Sequence, residues 1–187
     1  MEHKEREREA RKAAEMLLEL VQSGQTVLDL GAGEASELAK RFQEKGAVVT
    51  AVERQPVDEP PEGIEWHEMT VEQFIEQGDG RTFDYVVLNN VLQYFDHNAA
   101  LERIVPRLKA LVKEGGRIAV ETFTKHPEPP FKRSHASTFT AEELAAAFAD
   151  WPDTRVWEWD GPTPDMKGNT RHFFLVDVLA KKPTLAE

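Results

Sequence analysis

The chain contains no cysteine. A disulfide framework, a thiolate metal site and a cysteine nucleophile are therefore excluded together. Long apolar runs are missing too, and none approaches the roughly 20 residues that a helix needs to cross a bilayer. The amino-terminal stretch EHKEREREARKAAEMLLELV is charged where a signal peptide carries its apolar core. A cytoplasmic protein with no membrane contact is the expectation. Basic residues are in deficit, with 23 Lys and Arg against 34 Asp and Glu and a formal charge of −11. Nonspecific binding to nucleic acid needs clustered cations on one face, so small molecules are the expected partners, and a protein partner stays open. Metal-binding spacing is also absent. The six histidines form no H-x-x-x-H, and His67-Glu68 is followed by Val71 where a zinc-binding helix would place its second histidine. No metal is expected.

What the chain does carry is concentrated between Thr26 and Arg54. Val27, Leu28 and Leu30 form an apolar run that ends at Gly31-Ala32-Gly33, after which Leu38, Ala39 and Phe42 recur at helical spacing. A second apolar run, AVVTAVER, ends in Glu53-Arg54. Strand, glycine turn, helix and strand make half of a nucleotide-binding α/β unit. Glycines at the strand exit let the backbone approach a ligand closely, and Glu53 is placed to accept hydrogen bonds from both hydroxyls of a ribose.

The choice of cofactor rests on what departs from the usual fingerprints. Ser36 replaces the last glycine of G-x-G-x-x-G, and Glu34 sits where a pyrophosphate would meet the helix. No Gly-Lys-Ser/Thr follows the turn, so a P-loop is excluded as well. An adenosine that carries a cation and no phosphate fits better, which describes S-adenosylmethionine. Asp29, an acid in a glycine turn, is costly to bury alone, and the cofactor's ammonium would partner it directly or through water.

These residues resemble the first motif of class I S-adenosylmethionine-dependent methyltransferases, acid-x-Gly-x-Gly, here Asp29-Leu30-Gly31-Ala32-Gly33 with Ala35 in place of the common third glycine. The resemblance implies a three-layer, doubly wound Rossmann-like α/β fold, with a seven-stranded sheet of order 3-2-1-4-5-7-6 and strand 7 antiparallel. The chain has the elements for it. A helix is read over 3–22, strands over 25–30 and 47–53 with a helix at 34–45 between them, and a third strand from Ile64 to His67. A short helix at 71–77, a strand from Phe83 to Asn90 and a helix from Asn98 to Lys113 with Pro106 inside it come next. Gly115 to Phe123 supplies strand five, Thr140 and Glu143 form a capping box, and VWEWD and HFFLVDVLAKK supply the last two strands. A single methyltransferase domain over 1–187 is expected.

In such enzymes the residue after strand three and the backbone beyond it address the adenine. The resemblance places Thr70 and Val71 there, without the usual aspartate. It places Asn89, at the end of strand four, against the methionyl part of the cofactor. The cofactor set is then Asp29, Gly31, Ala32, Gly33, Glu53, Arg54, Thr70, Val71 and Asn89. The segment 125–139, KHPEPPFKRSHAS with its flanks, follows strand five at the carboxyl edge of the sheet and reads as a substrate-covering loop. Tyr94, Phe123, His126, Arg133 and His135 are candidates for shaping the acceptor pocket, and no catalytic residue is singled out. NNVLQYF replaces the Asn/Asp-Pro-Pro-Tyr/Phe of enzymes that methylate exocyclic amino groups of bases, which argues against those substrates. The second half looks most like the small tellurite-resistance-like methyltransferases, which implies a metalloid or thiol-like acceptor. The alternative is a cofactor-binding, non-catalytic relative or a stabilising subunit of another methyltransferase.

Overall fold

Each run that reads as a strand enters one sheet, in the order β3-β2-β1-β4-β5-β7-β6. The computed structural model describes residues 12–77, 80–125, 136–164 and 170–184. Its strands are β1 (Thr26–Leu30), β2 (Val48–Glu53), β3 (Glu65–Glu68), β4 (Phe83–Asn89), β5 (Val112–Phe123), β6 (Asp153–Pro164) and β7 (Thr170–Lys181). The pairs β1·β2, β1·β4, β2·β3 and β4·β5 are parallel, and β7 runs antiparallel to both β5 and β6. The doubly wound sheet implied by the glycine-turn motif is the one found.

Alternation along the buried strands divides their side chains between two cores. On one face Val27, Val49, Ala51, Val87, Ala119 and Leu179 pack under α1 (Ala13–Leu20) and α2 (Glu37–Glu44), which contribute Leu17 and Phe42 among others. On the other face Leu28, Leu30, Val86, Leu88, Ile118 and Val120 meet α3 (Val71–Gln77), α4 and α5 (Ala141–Ala147). Helix α4 is continuous through His97–Ala99, a π-type turn at Ala100–Ile104 and Val105–Ala110. The wide turn directly precedes Pro106, whose ring crowds the carbonyl of Glu102 and which has no N–H to bond it, so the extra backbone absorbs the misfit.

Several boundaries differ from the sequence reading, each for a local reason. Asp96, not Asn98, caps α4 by accepting the Ala99 N–H at 3.1 Å, and the helix ends at Ala110. The hairpin of β6 and β7 is longer than VWEWD suggested and runs through Pro162 and Pro164. Proline is a strand breaker in a sheet interior, but β6 is the edge strand, where a missing donor can face outward. Of the 3–22 helix, residues 1–11 lie outside the described residues. Trp151 is buried in the α3–α5 core beside Phe148, whereas Trp157 belongs to the α1 face.

Helix α2 starts at Glu37, three residues later than expected, because Ser36 takes a left-handed backbone with φ 53°. The position that departs from the dinucleotide fingerprint has thus kept the conformation that glycine adopts freely. Ala35, which stands at the methyltransferase motif's third glycine, is not among the residues of positive φ. Ser36→Gly is expected to be neutral or to stabilise by up to about 1 kcal/mol, since relief of the left-handed strain outweighs the weak 3.3 Å bond from Ser36 Oγ to the Gly33 carbonyl. Thermal unfolding checks this, and Ala35→Gly should bring no such gain.

Candidate functional site

The turn after β1 is fastened to β2. Gly31 and Ala32 donate their N–H groups to the Val52 carbonyl at 2.7 and 3.0 Å. Gly31 and Gly33 have φ of 77° and 72°, the left-handed region that side chains resist. Their surroundings differ. A Cβ at Gly31 would lie 2.2 Å from Val91 Cγ2, whereas one at Gly33 would meet nothing within 4 Å. Gly31 is therefore required by the protein's own packing, and Gly33 is the glycine that leaves open space for a ligand.

Glu53, at the tip of β2, is 8% exposed and braces this turn. Its Oε2 accepts the Gly33 N–H and its Oε1 the Gln55 N–H, both at 2.9 Å. Each carboxylate oxygen keeps a further lone pair for a ligand hydroxyl. Asp29 lies on the same face at the end of β1, opposite Ala51 and Val87, and is 2% exposed. Burial first, and the charge of Glu53 second, push its carboxyl up to about 7. Its Oδ2 has no hydrogen-bond partner. A nearby cation would favour the charged form of this carboxyl and offset the cost of its burial.

The adenine-side candidates are less free. Thr70 Oγ1 accepts the Gln73 N–H at 3.1 Å and Gln73 Oε1 accepts the Thr70 N–H at 2.9 Å, a reciprocal cap on α3. The threonine hydroxyl is therefore engaged as an acceptor and keeps its hydrogen to donate. The Val71 side chain is buried in the core, so only its backbone N–H, in the unpaired first turn of α3, is available to a ligand. The Arg54 guanidinium lies 5.5 Å from the centre of the Tyr94 ring, which is 55% exposed. This places Tyr94 beside the tip of β2.

Strand β4 delivers Asn89 to the α1 face, two positions beyond Val87, with a buried and unpartnered Oδ1. Asn90 follows in a left-handed conformation, φ 53°. Buried Gln93 donates to the Asn90 carbonyl at 2.7 Å and accepts from Thr122 Oγ1 at 3.1 Å. The sheet register then sets Asn89 opposite Glu121, Glu121 opposite Asp177 and Asp177 opposite Trp157. Phe123, two residues past Glu121, stacks on Phe173 with centroids 5.9 Å apart. Glu121, Asp177 and the adjoining Lys12 were missed in the sequence. The signal for the acids was there, a lone acid inside each of the apolar runs RIAVETF and HFFLVDVLAKK.

His126, Arg133 and His135 lie outside the described residues. Both described ends of the 125–139 segment are pinned at the carboxyl edge. The Thr124 N–H bonds the Phe174 carbonyl at 3.1 Å, Ser137 bonds the Gln93 carbonyl at 2.8 Å, and Phe139 bonds the Phe123 carbonyl at 2.9 Å. Among the described residues, no group of three His, Cys, Asp or Glu side chains is placed to hold a metal ion.

Residues 1–158 match the family described as "Methyltransferase domain". No curated protein matches the chain significantly. Among solved structures, the 1,6-didemethyltoxoflavin-N1-methyltransferase of Burkholderia thailandensis, with bound 1,6-didemethyltoxoflavin and S-adenosylhomocysteine, aligns with a TM-score of 0.66 at 22% identity, covering 94% of this chain and 79% of that one. TehB of Haemophilus influenzae aligns at 0.71 and 18%, covering 90% of this chain and 61% of that one. An S-adenosylmethionine-dependent methyltransferase of Methanosarcina mazei aligns at 0.64 and 15%, covering 90% and 97%. At these identities the likeness to the solved structures is one of fold.

Proposed function

Because this chain belongs to the methyltransferase-domain family, we propose that it is an S-adenosylmethionine-dependent enzyme that methylates a small-molecule acceptor, with the cofactor held at the carboxyl edge between β1, β2 and β4. The observation that carries this reading is the buried, unpartnered Asp29 carboxyl beside the open turn at Gly33. The residues present fit the cofactor. Glu53 would take the ribose hydroxyls, Asp29 and Asn89 the ammonium, and Ala32 and Gly33 the close backbone approach. Thr70 and the Val71 N–H would meet the adenine edge, with Arg54 beside them at the tip of β2. The neighbour with bound S-adenosylhomocysteine supports the choice of cofactor.

When bound, the cofactor supplies a methyl group already activated on a sulfonium. The chain's own contribution is then to position the acceptor, exclude water and dispose of any proton the acceptor releases. The 125–139 segment, anchored at the carboxyl edge, would cover the acceptor. A single domain over 1–187, supported by the single sheet, and a cytoplasmic location belong to the same proposal. Among the described residues no helix is long and apolar enough to cross a membrane. Incubation with S-adenosylmethionine and a panel of small acceptors should release S-adenosylhomocysteine with at least one of them. A folded protein that binds neither cofactor form would contradict the reading.

The raised carboxyl of Asp29 has a defined consequence for pH. Without ligand, the folded protein holds a proton there between about 4 and 7 that the unfolded chain has lost, so this group's contribution to stability falls as pH rises through that window. A ligand ammonium favours the anion and expels the proton. Affinity for S-adenosylhomocysteine should therefore fall roughly twentyfold between pH 7.5 and 5.5, by one-proton linkage. Calorimetry checks this, and Asp29→Asn should bind more weakly and lose the pH dependence.

A further inference from the structure

A polar side chain is costly to bury unless its hydrogen bonds are made, and Gln93, 1% exposed, makes its own between two parts of the molecule. It lies in the turn that leaves β4. Its Nε2 donates to the Asn90 carbonyl at 2.7 Å, and its Oε1 accepts the Thr122 hydroxyl at 3.1 Å. The amide orientation follows from these partners, since the reverse would set its oxygen against a carbonyl. On this side the turn meets the crevice described above. Asn90, left-handed at φ 53°, donates its N–H to the Glu121 carbonyl at 2.8 Å, and Val91 packs against the glycine turn at Gly31.

The other side of the same turn holds the chain where it returns toward α5. The Gln93 carbonyl accepts the Ser137 N–H at 2.8 Å, and the Phe95 carbonyl accepts the Ser137 hydroxyl at 2.7 Å. His97 Nδ1 lies 3.1 Å from the Thr138 carbonyl, and the His97 ring stacks on Phe139 with centroids 5.0 Å apart. Alternate residues from the turn into α4 thus carry three consecutive residues of the return. Ser137 and Thr138, together with His97, Lys125, Thr140 and Glu143, line a cavity of about 410 Å³, a volume suited to a small molecule. A clamp on the turn alone would need only the bond to Asn90. The bonds to Thr122 and Ser137 extend it to β5 and to the cavity wall. Leu92 and Phe139 beside it are 0% exposed, so the packing leaves little slack in which a displacement of Asn90 could be absorbed.

We propose that Gln93 is a positioning residue that couples the cofactor crevice to the wall of this cavity, so that a ligand seated against Asn89 orders Ser137 and the approach to α5. The inference rests on the methyltransferase reading above. Gln93 acts through Asn90, whose left-handed backbone sets the direction of Asn89, and through its own carbonyl, which holds Ser137. Such coupling is reciprocal. A molecule that orders the wall from the cavity side tightens the cofactor by the same factor.

The test follows amide hydrogen exchange at Ser137 and Phe139, with S-adenosylhomocysteine as the probe. Rates are taken relative to the Lys182 N–H, bonded to the Gly116 carbonyl at the amino end of β5, which removes general stabilisation by the ligand. Gln93→Met keeps the side chain's length and removes both of its bonds, and Thr122→Val removes one. Gln93→Glu can make both only when its carboxyl is protonated and donates to the Asn90 carbonyl. In wild type, saturating S-adenosylhomocysteine should slow both amides at least about fivefold, the lower end of ordinary coupling between sites. The slowing should vanish in Gln93→Met and shrink in Thr122→Val. In Gln93→Glu it should be present at about pH 5, where a buried carboxyl keeps its proton, and be lost at about pH 8. A role in fold stability alone would speed exchange equally with and without ligand, and that result in the variants would overturn the proposal. Wild-type amides that the ligand leaves unslowed would overturn it too. Thr122→Val and Gln93→Glu decide the matter should Gln93→Met fail to fold. Failure of wild type to bind S-adenosylhomocysteine in calorimetry would instead overturn the methyltransferase reading.

Discussion

Glu53→Ala should weaken binding of S-adenosylhomocysteine by about 10- to 150-fold, the 1.5–3 kcal/mol range of hydrogen bonds to a charged group. Two contributions add. The ribose hydroxyls lose their acceptor, and the Gly33 and Gln55 N–H groups lose the carboxylate that braces the turn. Both glycine and glutamine lie near the surface, where water can replace a lost acceptor, so the fold should survive with little change in melting temperature. Glu53→Gln should not rescue binding. The two N–H donors approach different carboxylate oxygens, and an amide must turn its NH2 toward one of them. Unchanged affinity in a folded Glu53→Ala protein would remove Glu53 from the cofactor site.

Gly31→Ala should destabilise the protein by about 2–4 kcal/mol, because it combines a left-handed backbone with an overpacked contact. The added Cβ would stand 2.2 Å from Val91 Cγ2 at φ 77°, and the turn cannot retreat while its N–H is bonded to the Val52 carbonyl at 2.7 Å. For a chain of this size the loss corresponds to roughly 5–15 °C in melting temperature. Val91→Ala in the same protein should recover the steric part and leave the backbone part, a coupling of at least about 1 kcal/mol. An unchanged melting temperature accompanied by lost cofactor binding would place the obstruction in the ligand's space instead. Sequence reasoning read the glycines of this turn as ligand-facing; a Cβ at Gly31 would first meet Val91, whereas one at Gly33 would meet nothing within 4 Å.

That contrast shows how legible the chain was. The strands followed from short apolar runs, since a strand buried on both faces must be apolar throughout, and their order followed from the family resemblance that the Asp29–Gly33 turn carries. Local conformation was harder to read. Ser36 holds a glycine-like backbone without being glycine, and Pro162 and Pro164 stay within a strand because that strand is an edge. The buried polar pair on β5 and β7 was hidden for a different reason. Lys12, Glu121 and Asp177 stand far apart in sequence and meet only through the β5–β7 register and the docking of α1. No local motif records a pair formed that way. Nor does the sequence record that Tyr94, which follows strand four, sits beside Arg54 at the tip of β2.

The most direct measurement is a crystal structure of the protein with S-adenosylhomocysteine. The expected result has both ribose hydroxyls on the Glu53 carboxylate, the ammonium within hydrogen-bonding reach of Asp29 or one water away, the backbone of Ala32 and Gly33 against the ligand, and the methionyl part of the cofactor beside Asn89. A ligand bound elsewhere, or in this crevice with Asp29 still unpartnered and Glu53 turned away from the ribose, would contradict the account.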